Sequence, residues 1–142
     1  LNIALALVAV FAMVAVAPSA HAETLVVTVQ DIRNSDGEIH ISLYNSTDNL
    51  LVEGQMAATQ SRTARKGEIQ FASANLQRGS YAAAAYHDEN RSGEFDTDFI
   101  GLPREGYGFS NGAKAVFGPP DFEEASVPLK SYTASTRLQL TY

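Results

Sequence analysis

The residues that could do chemistry are concentrated in one stretch, His87 to Asp98, HDENRSGEFDTD. Asp88, Asn90 and Ser92 fall at positions 1, 3 and 5 of a calcium loop. Gly93 falls at position 6, where the backbone must turn sharply, and Asp96 at position 9. Alternate residues supply oxygens because such a loop wraps its ion. Glu94 at position 7 would offer its backbone carbonyl, and Phe95 at position 8 would pack onto the body of the domain and fix the loop. Position 12 is Phe99 and not a bidentate glutamate. Asp98, or Glu105 returning from further along, would have to fill that place. Five carboxylates, Asp88, Glu89, Glu94, Asp96 and Asp98, lie within eleven residues, with only Arg91 among them. Confining such a set of like charges is unfavourable without a cation, and many flexible oxygen ligands suit Ca²⁺ better than Mg²⁺. The alternative is a solvated acidic turn, in which the same Asx and Ser side chains brace the backbone.

A second stretch, Gly101 to Phe122, holds five Gly, three Pro and four aromatic residues. It is too long for a simple connection and too aromatic for disorder. Two roles follow: Tyr107, Phe109 and Phe117 form an apolar platform for a carbohydrate, peptide or lipid, or these rings lid the end of the fold and plug its core. Nucleophilic catalysis would have to use His87, Asp88 and Ser110, but adjacent side chains on an extended strand point to opposite faces. There is no Gly-x-Ser-x-Gly elbow, no His-Glu-x-x-His helix and no phosphate-binding glycine loop. The expectation is a protein that is not an enzyme, with a hydrolase centred on His87 as the lesser alternative.

The elements that must position these loops are short strands. The chain has 142 residues, 10 Lys plus Arg against 16 Asp plus Glu, and no Cys. That is one domain, without disulfides or thiolate metal ligands, and its net charge of −6 argues against nucleic acid. Residues 1–22 contain no Asp, Glu, Lys or Arg and end in Ala20-His21-Ala22. This is the pattern of a cleaved signal peptide, too short before Pro18 to span a bilayer. The mature domain is then 23–142, periplasmic or secreted, with no membrane span after cleavage.

From Thr24 onward the hydrophobic period is two. Leu25, Val27 and Val29 share one face, Asn34-Ser35-Asp36-Gly37 marks a turn, and Glu38 to Tyr44 returns with Ile39, Ile41 and Leu43 on one side. His40 falls on the polar face. Ala57 to Arg65 is polar enough only for an edge strand, and one short helical turn is expected near Leu50 to Met56. Glu68 to Phe71, Ala82 to Tyr86, Val127 to Leu129 and Thr136 to Tyr142 complete about seven strands, an all-β sandwich with one long loop.

Several segments together carry a family resemblance: Gly79-x-Tyr81-Ala82, Tyr86-His87-Asp88-Glu89-Asn90, Gly101-x-Pro103-x-Glu105-Gly106-Tyr107-Gly108-Phe109-Ser110, and Phe117-Gly118-Pro119-Pro120 with Phe122. In these the chain resembles the bacterial domain of unknown function 2141 family. The resemblance implies an exported β-sandwich of immunoglobulin-like or transthyretin-like type and no assigned activity. The loop also resembles the Asp-x-Asn-x-Asp-Gly loops of calcium-stabilised surface modules, departing at Ser92 and Phe99. The expectation is an exported binding module in which Asp88, Asn90, Ser92, Glu94, Asp96 and Asp98 hold Ca²⁺ and the ion orders the recognition surface. The competing expectation is a structural envelope module with no ion.

Overall fold

The computed structural model describes residues 22–142. The signal-peptide expectation therefore falls almost entirely on residues outside the described ones. Eight strands, β1 (Glu23–Ile32), β2 (Glu38–Tyr44), β3 (Ala58–Thr63), β4 (Gly67–Leu76), β5 (Gly79–Asp88), β6 (Gly106–Phe109), β7 (Ser126–Leu129) and β8 (Thr133–Gln139), form two sheets. The first runs β4-β1-β8, with β1 antiparallel to β4 and parallel to β8. The second runs β3-β2-β5-β6, and β7 pairs with the first half of β5. A 3₁₀ turn, Thr47–Asn49, and a single helical turn, α1 (Phe122–Ala125), are the helical elements among the described residues.

Period-2 patterning produces the layers. Leu25, Val27 and Val29 of β1, Ile69 and Phe71 of β4 and Leu138 of β8 face Ile39, Ile41 and Leu43 of β2 and Tyr81, Ala83 and Ala85 of β5 in one buried cluster. Each Val, Leu, Ile or Phe side chain among them, removed from water, stabilises the fold by about 1.5–3 kcal/mol. The protein is thus an all-β sandwich.

The turn at Asn34 to Gly37 does not close a hairpin. β1 and β2 share no ladder, and the chain crosses there from one sheet to the other. Gly37 has φ +68°, and a Cβ built on it would overlap the Asp88 carbonyl oxygen and approach Glu89 Cα at 2.7 Å. Only glycine lets this crossover lie against the end of β5, where the acidic loop begins.

The glycine-rich segment is less irregular than its composition suggests. Gly106 to Phe109 is a strand, paired Ala84↔Phe109 and Tyr86↔Tyr107 with β5. Gly106 and Gly108 face the last strand and the chain end: a Cβ on Gly108 would overlap the Gln139 carbonyl oxygen, and one on Gly106 would overlap the Tyr142 ring. Tyr107 and Phe109 consequently point to the outer face of the second sheet. There Phe109, Phe122, Ala82 and Ala125 make a second, smaller buried cluster, so the aromatics cover the outside of a sheet and do not plug the end of the main core.

Candidate functional site

Two neighbouring features share the outer face of the second sheet, an acidic loop and an aromatic cleft. The loop begins at the last residue of β5. Asp88 is buried, and its two carboxylate oxygens accept from the backbone N–H of Ser92 at 2.9 Å and of Gly93 at 2.8 Å. Arg91 and Gly93 take positive φ, which coils the backbone around that carboxylate. Asn90 accepts from Ser92 N at 3.0 Å and donates through Nδ2 to Asp96 Oδ2 at 2.6 Å. Ser92 Oγ donates to the Glu94 carbonyl at 3.0 Å. His40, on the outward face of β2, is half-buried and brings Nε2 within 3.5 Å of Asp88 Oδ2.

Beyond Asp96 the chain forms a small hairpin. Arg104 N donates to the Asp96 carbonyl, Thr97 and Pro103 pair, and the Asp98 carboxylate caps the tip by accepting from Ile100 N and Leu102 N. Asp98 is thus spent on its own turn, and Phe99 beside it is fully exposed. What the hairpin does is return Glu105 to Asp96: Asp96 N donates to Glu105 Oε2 at 3.1 Å. Glu105 is only 5% exposed, and its Oε1 has no hydrogen-bond partner. Burial, and then the charges of Asp88 and Asp96, push its carboxyl above the usual carboxylate range, against the hydrogen bond from the Asp96 N–H. With Glu89, Asn90, Asp96 and Arg104 it lines a cleft of about 250 Å³. Glu89 itself is engaged elsewhere. Arg33 grips it through two contacts of 2.6 Å and holds its carboxyl below the usual range, with Asn34 adding a third hydrogen bond. Among the described residues, no three acidic or histidine side chains are already gathered into a metal-holding shell.

Phe95 joins the loop to the aromatic cleft. Its ring meets Tyr86 at 5.6 Å and Tyr107 at 5.8 Å, both edge to face. Tyr86 stacks flat on His40 at 4.8 Å, and its hydroxyl donates to the Gly93 carbonyl at 3.3 Å. Tyr107 and Phe109 stand 6.3 Å apart. Together with Tyr44 and Ala84 these rings line a cavity of about 280 Å³. Of the expected platform, Tyr107 and Phe109 are brought together, while Phe117 is fully exposed and lies outside this cluster. Tyr44, Tyr86 and Phe95, with Leu51 and Ser42, are lining residues that sequence reasoning did not assign to the recognition surface. The signal for Tyr86 was its place on the same strand face as Ala84 and Asp88.

His87 and Ser110, the pair a hydrolase would need, are not brought together. His87 is fully buried on the inner face, with Nε2 donating to the Asp36 carbonyl at 2.6 Å and Nδ1 2.8 Å from the Tyr142 hydroxyl. Ser110 lies opposite Ala83, four residues from His87 along β5. Its Oγ accepts from Ala83 N at 2.8 Å and donates to the Ala125 carbonyl at 2.6 Å. Both side chains are structural staples.

Fold and site thus define a class: a small β-sandwich carrying an acidic loop and an aromatic cleft on one sheet face. The chain belongs to a family described as an uncharacterized protein conserved in bacteria, DUF2141, whose model matches residues 27–137. No curated protein and no solved structure matches it.

Proposed function

We propose that the protein is an exported binding module of the cell envelope whose acidic loop takes Ca²⁺ and, through Phe95, sets the shape of the aromatic cleft. The observation that carries this is the unpartnered, buried Oε1 of Glu105 beside Asp96 and Asn90. A buried carboxylate oxygen without a partner is costly, and a cation removes that cost. Glu105 takes the place that Phe99 leaves vacant at position 12. Asn90 Oδ1, Asp96, Ser92, the Glu94 carbonyl and the second lone pairs of Asp88 complete an all-oxygen set suited to calcium. Asp98, tied to the hairpin tip, drops out of it. Residues 1–22 act as the export signal, which puts the mature domain in the periplasm or outside the cell. The ligand is a carbohydrate, peptide, lipid or other small molecule of that compartment.

The braced loop also favours one competing reading, a purely structural acidic turn, because Asp88 already caps two backbone N–H groups. Thermal unfolding in calcium, magnesium and chelator separates the two. A ligand at a hundredfold over its Kd adds about 2.7 kcal/mol, an increase in Tm of about 10 °C for a domain of this size. A calcium-specific rise that disappears in the Asp88→Asn, Asp96→Asn double variant is expected. An unchanged midpoint in all three conditions leaves the structural turn.

A further inference from the structure

The rings of the cleft are mutually inclined and do not form a parallel stacking shelf. Phe95 is inclined at 63° to Tyr86 and at 69° to Tyr107, and Tyr107 at 74° to Phe109, so neighbouring rings meet edge to face, and all four line one cavity. Ala84 beneath them keeps the floor low. The cavity of about 280 Å³ accommodates a group the size of a tetra-substituted nitrogen together with a short substituent.

We propose that this cleft binds a quaternary ammonium group carried by a small soluble molecule. Aromatic faces are electron-rich and attract a cation, most strongly one that sheds little hydration. A methylated ammonium has no N–H to satisfy, so a lining of aromatic rings, Ala84, Ala85 and Leu51, in which Ser42 is the polar side chain besides the tyrosine hydroxyls, suits it. A primary ammonium or a guanidinium would lose its water there. Charge complementarity supports the choice of a cation over a neutral apolar group. Phe95 lies between Glu94 and Asp96 in the acidic loop, and the Tyr86 hydroxyl donates to the Gly93 carbonyl of the same loop at 3.3 Å, so the carboxylates of that loop border the rings. The acidic loop borders the cleft on the Phe95 side. The basic groups nearby are His40 stacked on Tyr86, Arg91 within the loop and 3.9 Å from Glu38, Arg104 in the acidic cleft, and Lys114 and Arg137 around a second pocket that Tyr107 and Phe109 also line.

This assignment deepens the cleft half of the proposed function and does not depend on the ion. The test is a titration of the purified protein with choline in chelator, followed by the ring-proton resonances of Tyr and Phe, beside its neutral isostere 3,3-dimethylbutan-1-ol. Choline is expected to bind at least about fivefold more tightly than the isostere, with affinity falling as salt rises, and Tyr107→Leu and Phe95→Leu are each expected to weaken it about three- to thirtyfold. Phe95 is 41% exposed, so its variant keeps the fold and isolates the cleft. Equal binding of the two compounds, no binding of choline, or choline binding indifferent to both substitutions overturns the proposal. Phosphatidylcholine vesicles that bind while free choline does not also overturn it. A protein that binds choline but shows no response to calcium keeps this assignment and loses the ion. One that binds calcium but not choline loses only this assignment.

Discussion

Gly37→Ala tests the contact that ties the sheet crossover to the start of the acidic loop. Gly37 sits at φ +68°, where any Cβ costs about 1–2 kcal/mol. Here the added methyl would also overlap the Asp88 carbonyl oxygen and meet Glu89 Cα at 2.7 Å, both backbone atoms that cannot rotate away. Forcing atoms into a packed site adds about 1–3 kcal/mol, for a total of about 2–5 kcal/mol. Gly112→Ala is the matched control: its φ is +70°, but nothing lies within 4 Å of the new Cβ, so it carries the conformational cost alone. Urea unfolding should place Gly37→Ala at least about 1 kcal/mol below Gly112→Ala, with the lower Tm of the two. Equal destabilisation of the two variants would refute the close approach of the crossover to β5, and with it the positioning of Asp88.

Two further substitutions address the site and its support. Ser110→Ala removes both hydrogen bonds of a fully buried hydroxyl and leaves Ala83 N–H and the Ala125 carbonyl short of a partner, so a loss of about 2–4 kcal/mol in urea unfolding is expected. Glu105→Gln separates the cost of charge burial from packing. Because the folded carboxyl titrates above its ordinary 4.5, the stability Glu105 contributes is full below that value and is lost as pH rises through the folded pKa. In chelator the variant should therefore gain on the wild type as pH rises from 4 to 7. A difference between them that is constant with pH would contradict the buried carboxylate.

The aliphatic alternation of β1 and β2 was legible because each strand buries one face, and the polar edge strand β3 was legible because it buries almost nothing. The partnering of strands was not. Asn34 to Gly37 has hairpin chemistry, yet the neighbours of β1 are β4 and a parallel β8 from the other end of the chain. β6 was hidden by its glycines, which lack strand propensity and are required by the close passage of Gln139 and Tyr142. The period-2 placement of Tyr107 and Phe109 was the available clue, and β6 brings the strands among the described residues to eight against the expected seven or so. Within the loop, the spacing identified Asp88, Asn90 and Asp96 as neighbours and named Glu105 as one of two fillers for position 12. Choosing between Asp98 and Glu105 needed the hairpin, whose tip uses one and whose base presents the other.

Calorimetric titration of Ca²⁺ into the wild-type protein and into Glu105→Gln at pH 7 tests the cation site most directly. Binding of one ion per chain in the wild type, weakened at least about tenfold in the variant, is the expected result. Absence of binding, or equal affinity in the two proteins, would contradict a calcium site completed by Glu105.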